Sequence, residues 1–207
     1  MAISACTPQS VKTTEYKQVS QSAKERALET KDTLWINRYL TLFNQDSFSF
    51  KGRLSIKQGR KALTANVKAA IKGDNIVIDI SGPLSLGRVR LIVNESKHIY
   101  SLLTAKGILN ATSLASLSQQ AFQITPPLAP LLSWLRGIPQ DKLVDDLIIN
   151  DKGEAVSFIE QGYRVNLKEY THYNNDHAIE MTLPKKIKVE NGNVTVKLVI
   201  DHFFIPQ

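Results

Sequence analysis

Few residues of this chain combine the types and spacing that catalysis or metal binding requires. The four histidines are scattered along it: His98, His172, His177 and His202. His172 and His177 stand close together, but two asparagines lie between them, a composition typical of a loop. Asp145 and Asp146 are adjacent, and because neighbours on a strand point to opposite faces, their carboxylates cannot act together as acid and base. We therefore expect no metal site and no catalytic residue.

Sequence motifs of the common enzyme classes are missing as well. The chain has no Gly-x-Ser-x-Gly nucleophile elbow and no glycine-rich loop that would hold a phosphate. Its single cysteine, Cys6, can form neither an internal disulfide nor a cysteine metal site. The sequence thus predicts a protein that is not an enzyme and needs no cofactor. An esterase acting on lipids is the enzymatic alternative, and a test for ester hydrolysis would reveal it.

Composition and charge limit the class of protein further. The 207 residues are 43% hydrophobic and 22% charged, which is typical of a globular protein with a sizeable core. The formal net charge is +7, from 26 basic and 19 acidic residues, and suits nucleic acid, an anionic membrane or an acidic partner. Because the basic residues are spread along the chain without an arginine-rich arm, we expect a solvated basic surface that does not bind nucleic acid. No stretch approaches the roughly 20 apolar residues of a membrane span.

The hydrophobic period changes along the chain. Residues 7–22 are polar, as in a flexible linker. Leu28, Trp35, Tyr39 and Leu42 then fall on one face of an amphipathic helix that ends near Phe43. From there the period is two, with short one-sided strands joined by tight turns, which predicts a meandering antiparallel sheet or barrel. The predicted strands are 48–56, 63–71, 76–80, 89–93, 98–103, 143–149, 155–160, 163–170, 178–184, 187–190 and 194–203.

Two helices interrupt the strands in the middle of the chain, over 112–122 and 127–136. Ser113 is the predicted cap of the first, Pro126-Pro127 opens the second, and Gly137 ends it. A sheet of about ten strands that buries one face must curl, and these helices are available to cover its concave side. They are more apolar than one helix face requires. Either they fill the barrel as plain core, which periodicity alone favours, or they line a cavity for an apolar ligand.

One loop has an unusual composition. Residues 81–87 place Leu84 and Leu86 between glycines and a proline, although turns normally select polar residues because their tips face water. A leucine that stays exposed lacks roughly 2 kcal/mol of the stabilisation that its burial would give. The loop therefore either folds back over the end of the barrel and buries its leucines or presents a small apolar tip to a bilayer.

The N-terminus carries a possible processing signal. Residues 3–6, Ile-Ser-Ala-Cys, look like the cleavage end of a bacterial lipoprotein signal, in which the cysteine is acylated. The charged and apolar regions of a signal peptide are missing, so either the start is truncated or Cys6 is an incidental thiol. We expect residues 1–22 to be the end of a signal followed by a lipid-anchor tether, and residues 23–207 to form one domain.

Several short motifs, in order, resemble the LolB family of outer-membrane lipoprotein receptors. The resemblance covers nearly everything after about residue 30. The motifs are Phe50-x-Gly52-Arg53-Leu54, Gly82-Pro83-Leu84, Trp134-Leu135-Arg136-Gly137-Ile138-Pro139, Gln161-Gly162-Tyr163-Arg164-Val165, Leu183-Pro184 and Leu198-Val199-Ile200-Asp201.

The resemblance implies a mainly β (α+β) fold, an incomplete antiparallel barrel of about eleven strands with helices covering its concave face. It also implies a hydrophobic cavity for the acyl chains of lipoproteins, which a LolA-type carrier delivers and which the protein inserts into the outer membrane. Cys6 would be the lipid anchor on the periplasmic face of a Gram-negative outer membrane. Leu84 corresponds to the family's protruding-loop leucine, and the second leucine here, Leu86, would share its role. We expect a monomer.

We predict that nine inward-facing residues line the cavity: Phe50, Leu54, Ile78, Ile80, Leu91, Leu117, Leu131, Trp134 and Leu135. The alternative is a structural or lipid-binding envelope lipoprotein with a solid barrel core and no transfer role. Uptake of a fluorescent fatty acid would distinguish a cavity from a solid core.

Overall fold

The computed structural model describes residues 31–82, 87–174 and 180–205. In this part of the chain, helix α1 (residues 31–43) is followed by six strands, two helices and five strands. Their bounds are β1 Ser47–Gln58, β2 Lys61–Lys72, β3 Asn75–Ser81, β4 Arg88–Asn94, β5 Ile99–Thr104, β6 Gly107–Ala111, α2 Leu114–Phe122, α3 Leu128–Leu135, β7 Asp145–Ile149, β8 Ala155–Glu160, β9 Tyr163–Asn174, β10 Glu180–Asn191 and β11 Val194–Phe204.

All eleven strands belong to one antiparallel sheet. Its order is β6-β5-β4-β3-β2-β1-β11-β10-β9-β8-β7, so the first and last long strands meet in the middle. Strands β6 and β7, of five residues each, form its two edges and do not pair with each other. Short edge strands limit unwanted pairing with other chains. The predicted incomplete barrel of about eleven strands is confirmed.

Alternation along the strands separates an apolar concave face from a charged convex face. In β1, Phe50 and Leu54 are buried, whereas the intervening Lys51 and Arg53 are exposed. Strand β11 repeats the pattern, with Val196 and Leu198 buried on either side of exposed Lys197. Because every strand contributes its inward residues to one cluster, the concave face carries the hydrophobic core.

Three strands differ from the sequence prediction. Strand β9 continues four residues past the predicted end at Tyr170, so His172, expected in a loop, lies in a strand. Strand β6 was not expected, since its five residues include a glycine and an asparagine and its edge position leaves little apolar alternation to detect. Strand β10 was expected as two strands, 178–184 and 187–190, but runs unbroken through Pro184. Pro184 pairs with Tyr170 of β9, and pairing between β10 and β11 begins only at Lys186. The proline therefore lies before the β10–β11 pairing begins, where its missing N–H removes no hydrogen bond to β11.

The predicted helix signals are confirmed. The Ser113 hydroxyl accepts a hydrogen bond of 3.1 Å from the backbone N–H of Ser116, which caps α2. Pro127 precedes the first residue of α3, and Gly137 follows that helix with a φ of +80°. This left-handed conformation favours glycine and ends the helix sharply.

The junction of β1 with β11 contains a bulge that depends on Gly52. Lys51 pairs with His202 and Gly52 pairs with Ile200, so Asp201 is an extra residue in β11. Up to Ile200 the even-numbered residues of β11 face the core, whereas after the bulge the odd-numbered Phe203 does. The ring of Phe203 stacks on that of Phe48, with the ring centroids 5.3 Å apart. A Cβ on Gly52 would lie 2.4 Å from the Val199 carbonyl oxygen. Glycine is therefore required by close approach of the two backbones.

We expect Gly52→Ala to lower the free energy of unfolding by about 1–3 kcal/mol, because the strands must separate to admit the methyl group. Chemical denaturation monitored by circular dichroism measures this loss. Gly192→Ala is the matched control, since a Cβ at Gly192 meets no atom within 4 Å. Equal stability of the two variants would contradict the steric role assigned to Gly52.

Candidate functional site

An apolar cavity lies between the mid-chain helices and the half of the sheet formed by β1 to β5. Its volume is about 80 Å³. The lining comes from inward positions of β1 to β5, from α2 and α3, from Ile124 and Pro126 in the connection between these helices, and from Leu198 of β11. Ser118 is the one polar side chain among the described residues that line it. The cavity therefore offers dispersion and hydrophobic contact without directional hydrogen bonding.

Eight of the nine residues predicted to line the cavity do so. They are Phe50, Leu54, Ile78, Ile80, Leu91, Leu117, Leu131 and Leu135. The strand residues were identified by period-two alternation and the helix residues by their excess of apolar side chains. The helices thus combine the two alternatives left open by the sequence, since α2 and α3 fill most of the concave side and leave a small cavity beneath them.

Trp134 is the exception and points elsewhere. It is fully buried, and its indole N–H donates to the Glu160 carboxylate at 2.5 Å, while its ring contacts Tyr163 with centroids 6.1 Å apart. Among the described residues, the cavity lining has one polar side chain, Ser118, whereas the Glu160 carboxylate is a strong acceptor, and a buried polar group without a partner is costly. The predicted place of Trp134 in the cavity is therefore corrected: it fixes α3 to strand β8.

Glu160 is the buried acceptor that organises the segment after α3. Besides Trp134, it accepts hydrogen bonds from the backbone N–H groups of Gln140, at 3.2 Å, and Asp141, at 2.6 Å. Its side chain is buried at the end of β8, two residues after fully buried Phe158. Glu160 was not among the predicted site residues, although its spacing from Phe158 puts it on the inward face, where a carboxylate needs donors.

Arg136 joins α3 to the end of α1. Its guanidinium donates to the carbonyl oxygens of Leu42, at 2.9 Å, and Gln45, at 2.5 Å, and lies over the ring of Phe48 at 5.5 Å. A cation at the carboxyl end of a helix satisfies free carbonyls and the helix dipole. Burial lowers the pKa of Arg136 from its ordinary value.

Arg38 attaches α1 to strand β10. Its guanidinium donates to the Thr182 hydroxyl at 2.7 Å and also to the Thr182 carbonyl oxygen, and it lies over the ring of Tyr170 at 5.2 Å. The Tyr170 hydroxyl donates to the carbonyl oxygen of Ala155 at 2.7 Å, and burial raises the pKa of Tyr170, which keeps it protonated. Helix α1 and the end of α3 are thus held by polar contacts that are buried at Trp134 and partly buried at Arg38 and Arg136.

The connection between α2 and α3 is held differently. Gln58 accepts from the backbone N–H of Thr125 at 2.9 Å, and the Lys61 ammonium donates to the Gln123 side-chain oxygen at 2.7 Å. Both contacts are exposed, at the turn between β1 and β2. Water replaces such contacts at little cost, so α2 and this connection are attached less firmly than the far end of α3.

Three predicted site residues, Cys6, Leu84 and Leu86, lie outside the described residues. Within the described ranges, no group of three or more histidine, cysteine, aspartate or glutamate side chains could hold a metal ion. Nor does any helix in those ranges have the length and apolar character needed to cross a bilayer.

We expect Trp134→Phe to lower the free energy of unfolding by about 1–3 kcal/mol, since Glu160 loses a buried donor. Binding of a fluorescent fatty acid should be unchanged, because Trp134 does not line the cavity. Denaturant titration and a fluorescence binding titration measure the two quantities separately. Leu135→Ala is the comparison, since Leu135 lines the cavity and should alter both. Loss of fatty-acid binding by a folded Trp134→Phe protein would show that Trp134 does contribute to the binding site.

Comparison with known proteins finds LolB proteins among the similar sequences. The relatives include the outer-membrane lipoprotein LolB of Cellvibrio japonicus, 26% identical over 155 residues that cover 74% of this chain and 75% of the relative. The outer-membrane lipoprotein LolB of Nitrosococcus oceani is 26% identical over 170 residues, 82% of each chain. A solved LolA superfamily protein from Nitrosomonas europaea has a TM-score of 0.49 at 11% identity, covering 88% of this chain and 93% of its own.

The family match extends over most of the described fold. The sequence model "Outer membrane lipoprotein LolB" matches residues 46–203, from just before β1 to the penultimate residue of β11. The matched segment therefore contains the strands, α2 and α3 that build the cavity. The resemblance predicted from the short motifs is confirmed, and the chain belongs to the outer membrane lipoprotein LolB family.

Proposed function

We propose that this protein is an outer-membrane lipoprotein that receives lipoproteins from a LolA-type carrier, holds their acyl chains in the concave cavity and inserts them into the outer membrane. The observation that carries the proposal is the cavity lining, in which Ser118 is the one polar side chain among the described residues. Such a site suits an aliphatic chain and would leave a polar substrate without partners. Family membership supplies the outer-membrane lipoprotein class.

An apolar lining permits transfer without chemistry. Each acyl methylene removed from water contributes about 0.8 kcal/mol, so a lipoprotein with several chains cannot travel free. Transfer in one direction requires only that the cavity hold the chains more tightly than the carrier and less tightly than a bilayer. Because dispersion contacts have little directionality, chains of different length and branching can enter and leave the same site.

The volume of the cavity requires part of its wall to move. The cavity occupies about 80 Å³. Pockets that enclose drug-sized ligands span roughly 300–1,000 Å³. We assign the movement to α2 and the connection after it, because Gln58 and Lys61 hold that connection by exposed contacts. The far end of α3 stays fixed through Trp134 and Arg136. Cargo would enter by displacing α2 from the sheet.

The remaining assignments follow from the same proposal. Cys6 carries the acyl anchor that holds the protein on the periplasmic face of the outer membrane, and residues 7–22 link it to the folded domain. The receptor works as a monomer, without a cofactor and without nucleic acid. The alternative of a structural lipoprotein with a solid core predicts no uptake of cargo.

The decisive experiment mixes the soluble Cys6→Ala protein with a purified LolA–lipoprotein complex and determines which protein carries the lipoprotein. We expect the cargo on this chain. Ile78→Trp fills the cavity and should weaken capture about tenfold, since each displaced methylene costs about 0.8 kcal/mol and two suffice. Val77→Trp is the matched control, because the neighbouring residue faces the other side of β3 and does not line the cavity.

Cargo that stays on the carrier, in the presence of folded receptor, would exclude the receptor function. Capture that is equally impaired in both tryptophan variants would exclude this cavity as the site. Uptake of a fluorescent fatty acid without uptake of lipoprotein would leave a lipid-binding envelope protein that needs another partner.

The membrane step depends on a different segment. We expect Leu84→Glu to leave capture from the carrier unchanged and to slow release of cargo into liposomes at least tenfold, because a charged tip resists entry into the bilayer. Ala105→Glu is the control. It adds the same charge in the exposed β5–β6 turn, at the end of the sheet where Ser81 and Arg88 flank the loop. Normal release of cargo by the Leu84→Glu protein in a liposome flotation assay would show that the loop takes no part in the membrane step.

A further inference from the structure

The convex face of the sheet brings lysines directly opposite one another on neighbouring strands. Lys51 of β1 pairs with Lys68 of β2, Lys168 of β9 with Lys186 of β10, and Lys188 of β10 with Lys197 of β11. These six side chains are exposed. Opposed residues on antiparallel strands have Cβ atoms about 4.5–5.5 Å apart, and like charges at that distance destabilise the sheet. The three pairs form what we call the lysine face.

Carboxylates neutralise this face incompletely. Lys186 binds Glu169, and Lys188 binds Glu190 at 2.8 Å. The other four lysines have no carboxylate oxygen within 4.0 Å among the described residues. They are Lys51, Lys68, Lys168 and Lys197. Asp79, which is opposite Lys68 in β3, is bound by Arg90 through two hydrogen bonds of 2.7 and 3.0 Å. One member or both members of each pair therefore present a charge to solvent without a local partner.

We propose that the lysine face is a contact surface for the anionic phosphate headgroups of a lipid bilayer. A layer of phosphates places negative charge opposite all six ammonium groups together and relieves the repulsion within each pair. Lysine suits this task because its ammonium is a mobile point charge, and clustered lysines attract anionic lipid surfaces. The surface is distinct from the cavity, and the proposal does not depend on cargo transfer.

The composition of the face favours a lipid surface over an acidic protein. Protein interfaces have an apolar or aromatic centre and are depleted of lysine. On β1, β2, β9, β10 and β11, the one exposed large apolar side chain among those described is Phe204, at the end of β11. Phe204 pairs with Ser49 and lies next to Lys51 and Lys68, at the margin of the face. One marginal aromatic beside many cations is typical of a protein that lies on a bilayer.

Such a contact would leave the cavity free. Within each strand the exposed lysines alternate with residues that point to the concave side, as Lys197 does with Val196 and Leu198. The lysine face and the cavity therefore lie on opposite surfaces of the same sheet. A receptor resting on its convex face would keep its helices directed away from the bilayer, where a carrier can approach.

The test uses the full chain with Cys6→Ala and measures cosedimentation with phosphatidylcholine vesicles, with and without phosphatidylglycerol. We expect binding only with phosphatidylglycerol, and loss of that binding at high salt, which screens the charges. The triple variant Lys68→Gln, Lys168→Gln, Lys197→Gln removes one lysine from each pair. It should bind about a hundredfold more weakly, given about fivefold for each lysine near an anionic surface.

The matched control removes three exposed turn lysines, Lys97→Gln, Lys106→Gln and Lys142→Gln, and so lowers the net charge equally. It should retain vesicle binding. The triple variant of the lysine face should also melt at the same or a higher temperature than the parent, since it removes like-charge repulsion. A lower melting temperature would mean that these lysines stabilise the folded protein and do not repel one another, which would contradict the proposal.

Equal loss of vesicle binding in both triple variants would reduce the effect to net charge and overturn the proposal. Absence of binding to phosphatidylglycerol vesicles would overturn it as well. Preferential binding to an acidic protein, with none to vesicles, would replace the bilayer with a protein partner. Each result is independent of cargo capture, which the soluble transfer assay measures separately.

Discussion

The gap between β6 and β7 determines much of the architecture. An eleven-stranded sheet that closed on itself would bury its apolar face without help, but these two edges do not pair. The concave side must therefore be covered by other elements. Helices α2 and α3 cover the half over β1 to β5, where the cavity is the space that they leave, and α1 packs its buried Tyr39 and Leu42 into the same core. A closed barrel would gain hydrogen bonds at the edges and lose the cover that can be displaced.

The cover is attached unevenly, and the difference follows from hydrogen bonding. A buried contact through Trp134 and partly buried contacts through Arg136 fix one end of α3, because breaking them would take a donor from Glu160 and the guanidinium from the carbonyl oxygens of Leu42 and Gln45. Exposed contacts at Gln58 and Lys61 can exchange with water. Among the described residues, the body of α2 meets the sheet through apolar contacts, which have little directional preference. The cover thus has a firmly held part and a more weakly held part.

The sequence predicts those features that depend on local periodicity and fails where tertiary contacts decide. Alternation identified strands and lining residues, and the Ser113 cap and Gly137 stop were recognised from type and position. Strand β6 was missed because an edge position needs few apolar residues. Trp134 was misplaced because its helix face could not reveal that Glu160, in a distant strand, accepts its indole N–H. Leu84, Leu86 and Cys6 stay predictions, since they lie outside the described residues.

One sheet carries two surfaces because a strand offers alternate residues to each side. In β11 the exposed Lys197 lies between Val196 and Leu198, and a slip of one residue would exchange charged and apolar faces. The bulge at Asp201 shifts the alternation of inward and outward residues by one position near the end of that strand, and so Phe203 faces the core. Strand register therefore sets the concave and convex surfaces together. A sequence change on one face leaves the other face in place, so the proposed binding of acyl chains and the proposed contact with a bilayer would be open to independent change.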